Sequence, residues 1–322
     1  MREQLERQQS WLYLGCICLG LVMGIAAPGR TPALEVFLWP LLGILLYATF
    51  TQIPLLHIRQ SLADTRFMAA LLIGNFIIIP VLLGLLVLGF SVLGLPLPPP
   101  VMAGVLLVLL VPCTDWFITF THLGKGDAAR AIAATPLLLL VQIIALPLYL
   151  WLFLGREWFQ LTFSTDLLSA FAGLIVLPLA LACLTEAAAQ RYHAIERATE
   201  QLGYLPVPLL ALVVLVIAAT QVNSVLALSH VLVQVVFIFA GYLVVAAVLG
   251  KVLGRLFKLP ATSARTLAFS FGTRNSFVML PIALALPNGW QAAVVVIVFQ
   301  SLVELFGMVA YLRWVPSKLL PD

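Results

Sequence analysis

The sequence predicts an all-α integral membrane protein of ten transmembrane helices, built as two inverted five-helix repeats. Three observations predict this fold class: an apolar composition, ten apolar runs of spanning length, and basic residues that fall almost entirely on one side of those runs. The first repeat is predicted over residues 1–156 (spans one to five) and the second over 157–322 (spans six to ten).

Composition excludes a soluble fold. Residues of the AVILMFWYC class make up 63% of the 322 positions and charged residues only 9%, with a mean hydropathy of +1.12. Because a soluble domain carries roughly a quarter charged residues, the surface of this chain is expected to face a lipid bilayer. The four cysteines lie inside apolar runs without metal-ligand spacing, so neither a metal site, a cofactor nor a disulfide framework is predicted.

Apolar runs long enough to cross a bilayer recur along the chain. A transmembrane helix needs about 20 mostly apolar residues, and the first run is interpreted as a span rather than a cleaved signal because Glu3 and Glu6 dilute its basic region. The divisions near 222–225 and 287–290 depend on short connections. The predicted spans are 11–28, 34–57, 67–90, 100–123, 128–154, 164–186, 205–222, 225–250, 262–287 and 290–314.

Basic residues separate between the two sides of these spans. Fourteen fall on one side and only Arg30 and Arg156 on the other, while Arg274 lies inside span nine. Since cytoplasmic loops carry the excess of Lys and Arg, both termini are predicted to be cytoplasmic in a multi-pass protein of the inner cell membrane. Basic residues flank spans instead of forming one patch, so no nucleic-acid partner is predicted. The fourteen are Arg2, Arg7, Arg59, Arg66, Lys125, Arg130, Arg191, Arg197, Lys251, Arg255, Lys258, Arg265, Arg313 and Lys318.

Spans four and nine, which correspond in an inverted repeat, each contain a helix breaker and polar groups at bilayer depth. Unwound backbone at that depth survives only where protein or a water-filled cavity satisfies its N–H and C=O groups, and paired interruptions of this kind indicate a transport site. The breaks lie at 111–115 and 270–276. The substrate-binding residues predicted there are Cys113, Thr114, Asp115, Arg274, Asn275 and Ser276.

Asp115 and Arg274 are the two charged residues in these breaks, and placing them in the membrane costs free energy. Each charge at the centre of a span costs about 2.5–3.5 kcal/mol on insertion scales, and pairing offsets much of that cost. We therefore expect an ion pair between them. The pair either specifies the fold without touching substrate or lines the transport site, and the sequence leaves both interpretations open.

Span ten carries one polar and small stripe, formed by Gln300, Glu304, Gly307 and Tyr311. Burial near mid-membrane favours the protonated form of a lone carboxyl, so Glu304 is predicted to bind and release the coupling proton. The alternative is a neutral carboxyl that hydrogen-bonds a neighbouring helix. Asn75, Gln142 and Gln52 are interpreted as interhelical hydrogen-bonding residues rather than ligands.

The fourth span and the loop after it resemble a known family. The runs Pro112-Cys113-Thr114-Asp115 and Thr121-His122-Leu123-Gly124-Lys125-Gly126-Asp127 are similar to the signature of arsenical-resistance permeases, the arsenite-efflux branch of the bile acid:sodium symporter superfamily. The resemblance extends over essentially the whole chain. It implies crossed broken helices, a core of spans three to five and eight to ten that moves against a panel of spans one, two, six and seven, and functional roles for Cys113 and Glu304.

The ninth span departs from this pattern. Known arsenite permeases and sodium-coupled relatives carry a carboxylate there, whereas this chain has Arg274. A guanidinium should repel a cation, so sodium coupling is not predicted and a diverged branch is indicated. Cys113 still suits arsenite or antimonite, because trivalent arsenic and antimony are soft and thiolate sulfur is a soft ligand. Its alternative interpretation is a small buried hydrophobe.

The predicted function is therefore secondary transport: export of arsenite or antimonite with proton exchange. The alternative is a carrier of a small organic anion, in which Arg274 pairs with a carboxylate. The chain is not predicted to be an enzyme, since its GxGD run at 124–127 lies in a basic loop and no nucleotide-binding loop is present. The expected partners are the small-molecule substrate and the lipid bilayer, and the sequence leaves a homodimer open.

Overall fold

Helices account for nearly all of the regular structure in the computed structural model, which describes residues 2–57, 64–94, 97–162, 169, 171–287 and 289–321. No strand occurs in these described ranges, and the only extended pairing is one isolated bridge. The helices are α1 (Arg2–Ala26), α2 (Leu38–Phe50), α3 (Thr65–Val92), α4 (Pro99–Leu109), α5 (Trp116–Leu123), α6 (Ala128–Thr162), α7 (Ala172–Ala189), α8 (His193–Leu202), α9 (Pro206–Thr220), α10 (Val222–Ala227), α11 (Ser229–Leu256), α12 (Ala261–Gly272), α13 (Ser276–Leu284) and α14 (Gln291–Trp314).

Six helical stretches in the described part of the chain are long and apolar enough to cross a membrane by themselves. They correspond to the second, third, fifth, sixth, eighth and tenth predicted spans. A seventh is obtained if α8 and α9, bent by 41° to each other, count as one span. The predicted all-helical, multi-pass class is thus confirmed. Helix α6 continues to Thr162, beyond the predicted division at residue 156, and Arg59 lies outside the described residues.

The remaining predicted spans are shorter or interrupted. Helix α1 has an apolar stretch at Trp11–Ala26, shorter than a full span. The fourth predicted span consists of α4 and α5, and the ninth consists of α12 and α13, each pair separated by a short non-helical segment. Both interruptions fall where proline and polar residues predicted them.

Helix packing forms two groups in the described part of the chain. In the first group α1 packs along α9, and α2 packs against both α9 and α7. In the second group α4 packs along α14, α11 along α12, and α13 against α14. Each group contains helices from both halves of the chain.

Small residues allow the closest helix contacts of the second group. A Cβ on Gly250 of α11 would lie 2.6 Å from the backbone of Ala268 in α12. A Cβ on Gly104 of α4 would lie 2.9 Å from the backbone of Ala293 in α14. Such contacts bring backbones together where lipid supplies no hydrophobic drive between helices.

Polar residues join the starts of three helices at one end of the second group. Arg130 at the start of α6 contacts Asp64, which caps α3, at 2.8 Å and Asp127 at 2.7 Å. Its guanidinium also donates to Ser263 Oγ of α12 over 2.6 Å. The Asp64 carboxylate in turn accepts from the N–H of Phe67. This cluster holds α3, α6 and α12 together outside the apolar region.

Candidate functional site

The two broken helices meet through their main chains. Pro112, between α4 and α5, forms an antiparallel bridge with Arg274, between α12 and α13. The N–H of Cys113 donates to Thr273 O over 3.2 Å, and the N–H of Asn275 donates to Val111 O over 2.9 Å. Flanking residues carry both bonds, so Pro112 occupies a position that needs no N–H donor. The unwound segments satisfy part of each other's backbone, as a chain at this depth requires.

Four helix ends converge at this crossing. Helices α4 and α12 end there with free carbonyls, and α5 and α13 begin there. Asn275 caps α13, because its side-chain oxygen accepts from the N–H of Val278 over 3.2 Å. Asp115 precedes α5 but its side chain makes no capping bond. The carboxylate of Asp115 therefore lies next to the N-terminus of α5 without capping that helix.

Protein oxygens surround the two terminal nitrogens of the Arg274 guanidinium, while its buried Nε has no hydrogen-bond partner among the described residues. Its Nη2 lies 2.8 Å from Asn75 Oδ1, 2.9 Å from Ser270 O and 2.7 Å from Phe271 O. Its Nη1 donates to Leu109 O over 3.3 Å. Three of these acceptors are carbonyls at the C-terminal ends of α4 and α12, where a positive charge is favoured. Arg274 is 1% exposed.

The ion pair predicted between Asp115 and Arg274 does not form. Among the described residues, no carboxylate lies within ion-pair distance of the Arg274 guanidinium, and Asp115 Oδ1 instead accepts a bond from Cys113 Sγ over 2.9 Å. The Arg274 side chain points towards α3 and the ends of α4 and α12, whose carbonyls neutralise its charge. The sequence predicts the depth of a residue but not the direction of its side chain.

Glu304 of α14 contacts the second break through the backbone. Its Oε2 accepts from the N–H of Arg274 over 2.9 Å and from Gln300 Nε2 over 2.7 Å. Ser276 Oγ donates to Gln300 Oε1 over 2.7 Å, which extends the chain to the start of α13. The other carboxyl oxygen, Glu304 Oε1, is buried and has no hydrogen-bond partner among the described residues. One oxygen of Glu304 is thus structural and the other is open to a proton or a ligand.

A cavity of about 230 Å³ lies against the first break, between the two helix groups. Residues of α1, α2 and α9 face it from one side and those of α5 and α6 from the other. The Thr114 hydroxyl is buried and has no hydrogen-bond partner among the described residues. No basic residue occurs among the lining residues in the described part of the chain. The lining residues are Gln9, Thr49, Gln52, Ile53, Thr114, Asp115, Trp116, Ile118, Thr119, Ile132, Gly203, Pro206 and Val207.

The predicted site residues separate into three groups. Thr114 and Asp115 line the cavity. The Cys113 thiol is fully buried next to them and donates a hydrogen bond to the Asp115 carboxylate. Arg274 points away into its oxygen cage, and Asn275, Ser276 and Glu304 form the hydrogen-bonded side of the second break. The crossing thus brings all seven residues into one region without exposing all of them to one cavity.

Sequence reasoning missed several contributors. Gln9 and Thr49 line the cavity but carried no signal beyond being polar residues near the ends of spans. Asn75 and Gln52 were interpreted as interhelical residues, and both do form such bonds, to Ser270 and Thr199 respectively. Gln52 also lines the cavity. The side chain of Gln142 is buried with no hydrogen-bond partner in the described part of the chain, unlike its interpretation.

Comparison with known proteins assigns the chain to a family. The profile of the sodium bile acid symporter family matches residues 39–246. The chain belongs to that family. The sodium bile acid symporter family is a transporter family, and this match together with the apolar helices indicates a multi-pass membrane transporter. The match includes the first break and ends before the second one at Thr273–Asn275. A search of curated proteins finds no match for the chain.

Proposed function

We propose that the protein is a secondary active transporter that exports arsenite or antimonite through the crossing, in exchange for protons. The observation that carries this proposal is the character of the cavity at the first break. Among the residues that the structure describes, its only charged lining residue is Asp115, and its other polar lining residues are neutral. Arsenous acid is an uncharged trihydroxide near neutral pH, and it can donate hydrogen bonds to Asp115 and to the unpartnered hydroxyl of Thr114.

The family match supports a second candidate, a carrier of organic anions such as bile acids. An anion would need a free positive charge in the site, since an unpaired buried charge is costly. Arg274, the cation predicted for that role, already donates to four protein oxygens on the opposite side of the crossing. The cavity would place a carboxylate substrate beside Asp115. These charges favour the uncharged metalloid.

Cys113 supplies the soft ligand in this proposal. Its thiol donates to Asp115 Oδ1, and Asp115 itself borders the cavity. Binding forms an Sγ–As bond and breaks one As–OH bond, and the thiol proton leaves with that hydroxide as water. Because Cys113 is 0% exposed, the substrate reaches the thiol only when its bond to Asp115 opens. One thiol bond is weak enough to reverse on the other side of the membrane.

Glu304 carries the proton. Its Oε1 is buried without a donor, and a buried carboxylate oxygen in that state is stabilised by binding a proton. Its Oε2 accepts from the N–H of Arg274, so protonation of Glu304 changes the strength of a hydrogen bond to the unwound segment of the second break. Movement of the core against the panel would expose Glu304 to water and release the proton.

The finer architecture is part of the proposal. We infer two inverted repeats, because the two broken pairs α4–α5 and α12–α13 cross and because each packing group contains helices from both halves of the chain. The cavity lies near the basic side of the chain, which the positive-inside rule assigns to the cytoplasm. Reporter tags at either terminus should be cytoplasmic, and a tag inserted near Pro98 should be external. A periplasmic C-terminus would contradict ten spans.

Transport in cells that lack their own arsenite exporters tests the function. The wild type should lower intracellular arsenite, and uptake of a bile acid measured beside it should stay at background. Cys113→Ser should abolish efflux at normal expression, whereas the matched change Cys183→Ser, in a half-buried cysteine outside the crossing, should not. Full efflux by Cys113→Ser would contradict the thiol step. Bile acid uptake without arsenite efflux would contradict this proposal and favour the organic-anion carrier.

A further inference from the structure

Four oxygens and one aromatic face surround the guanidinium of Arg274. The oxygens are Leu109 O, Asn75 Oδ1, Ser270 O and Phe271 O, at 2.7 to 3.3 Å from the two terminal nitrogens. The ring of Tyr242 covers the guanidinium carbon, which lies 5.5 Å from the ring centroid. Oxygens around the edge and a π face on one side are the environment that a planar cation prefers.

The oxygens are positioned by bonds that do not involve the Arg274 side chain. Asn75 Nδ2 donates to Leu71 O and to Ser270 Oγ, which turns Asn75 Oδ1 towards the guanidinium. The hydroxyl of Tyr242 donates to Phe271 O over 2.7 Å, which fixes both the ring and that carbonyl. Two of the four oxygens, Asn75 Oδ1 and Phe271 O, are therefore positioned without the Arg274 side chain.

The electrostatic character of the cage also requires a cation. Leu109 is the last residue of α4, and Ser270 and Phe271 lie in the last turn of α12. Carbonyls at a helix C-terminus lack intrahelical partners and carry a partial negative charge. Two such helix ends meet here at the same point. Without a cation between them, these ends would repel each other and leave buried acceptors unpaired.

We propose that this cage is a binding site for a guanidinium-type cation, and that the chain occupies it permanently with its own Arg274. Shortening Arg274 should vacate the site, which should then bind free guanidinium ion from solution. The attached cation joins the ends of α4 and α12 in every state of the protein, because it cannot leave. The crossing is consequently independent of the cations present outside.

Thermal unfolding of purified protein tests this site. Arg274→Ala keeps the main-chain bond to Glu304 and removes only the cage occupant. This variant should melt well below the wild type, and millimolar guanidinium chloride should restore much of the difference, since a ligand that binds only the folded state raises its stability. Sodium chloride and choline chloride at the same concentration should not. The wild type, with its cage filled, should not respond to any of the three salts.

Two further variants control for surface charge and for misfolding. Arg255→Ala removes an exposed arginine and should be neither destabilised nor rescued. Arg274→Lys keeps a cation in the cage and should fold without a response to guanidinium. Arg274→Ala is also extracted with and without guanidinium, and the yield of monodisperse protein is compared. A variant that unfolds without the ion should then be recovered only when guanidinium is present. If guanidinium rescues the variant in neither measurement, or if sodium chloride rescues it equally well, the proposed guanidinium site is wrong.

Discussion

The backbone N–H of Arg274 donates to Glu304 Oε2 over 2.9 Å, while the side chain of Arg274 points into a different environment. One residue therefore connects the second break to a buried carboxyl through its main chain and to two helix ends through its side chain. Substitution at Arg274 removes only the second connection. Substitution at Glu304 changes the carboxyl that meets the first connection and leaves the second intact, so the two functions can be tested separately.

Glu304→Gln should lose the response of transport to a proton gradient. The amide oxygen can still accept from the N–H of Arg274, so the fold should be retained, but the side chain can no longer take up a proton. Arsenite transport into proteoliposomes with an imposed pH gradient measures this effect. Glu200→Gln, at an exposed position, is the matched control and should respond like the wild type. A pH response that survives in Glu304→Gln would exclude Glu304 as the proton carrier.

Thr114→Val should separate stability from transport. The Thr114 hydroxyl is buried without a partner in the described structure, so replacing it by an apolar group of the same shape should leave the melting temperature unchanged or raise it. The apparent affinity for arsenite should fall, because the cavity loses a polar contact. The hydroxyl of Thr135 donates to Ala131 O, so Thr135→Val removes a satisfied hydrogen bond. This variant should lose about 1 kcal/mol of unfolding free energy and melt at a lower temperature. Unchanged arsenite affinity in Thr114→Val would place the substrate elsewhere.

Gly250→Ala should weaken the contact between α11 and α12. The added Cβ would lie 2.6 Å from the backbone of Ala268, and relieving such overlap costs about 1–3 kcal/mol. Gly241→Ala in the same helix is the matched control, since its Cβ would meet nothing within 4 Å. Thermal melts in detergent compare the two. An equal effect of both substitutions would mean that α11 and α12 do not approach as closely as described.

Asp64 should contribute stability that is lost in acid. The N–H of Phe67 and, after it, the guanidinium of Arg130 hold the pKa of Asp64 below its usual value. A carboxyl whose pKa is lower in the folded state stabilises the protein above its unfolded pKa, about 3.9, and loses that contribution as the pH falls through the folded value. Melting temperatures measured from neutral pH downwards should therefore fall less steeply for Asp64→Asn than for the wild type. Identical slopes would indicate that other carboxyls dominate acid sensitivity.

The sequence predicted the positions of both breaks because proline and polar residues at bilayer depth have few stable alternatives. It also predicted a polar stripe on α14, and the structure buries that stripe: Gln300 and Glu304 are buried, and Tyr311 donates to Leu243 O of α11. It did not predict the partners of Arg274. Three of the four are main-chain carbonyls, which every residue has and which leave no pattern in a sequence.

The cavity was equally inaccessible to sequence reasoning. Its walls come from α1, α2, α5, α6 and α9, which are distant in the chain and meet only through packing. A hydrophobic run predicts that a segment is buried in lipid or protein but not which neighbours it meets. Gln9 and Thr114 border the same space although about a third of the chain separates them and no recognisable motif connects them.

The bridge between Pro112 and Arg274 has a consequence for how this site can change. Main-chain atoms hold the crossing together, through Cys113 N–H to Thr273 O and Asn275 N–H to Val111 O. Main-chain bonds therefore join the two segments, and among their side chains Arg274 adds contacts to the ends of α4 and α12. Residues such as Thr114 or Asp115 can be exchanged while the frame around them stays assembled. A transporter built in this way can acquire a new substrate by few substitutions, and the same property makes this crossing a suitable starting point for redesigning its selectivity.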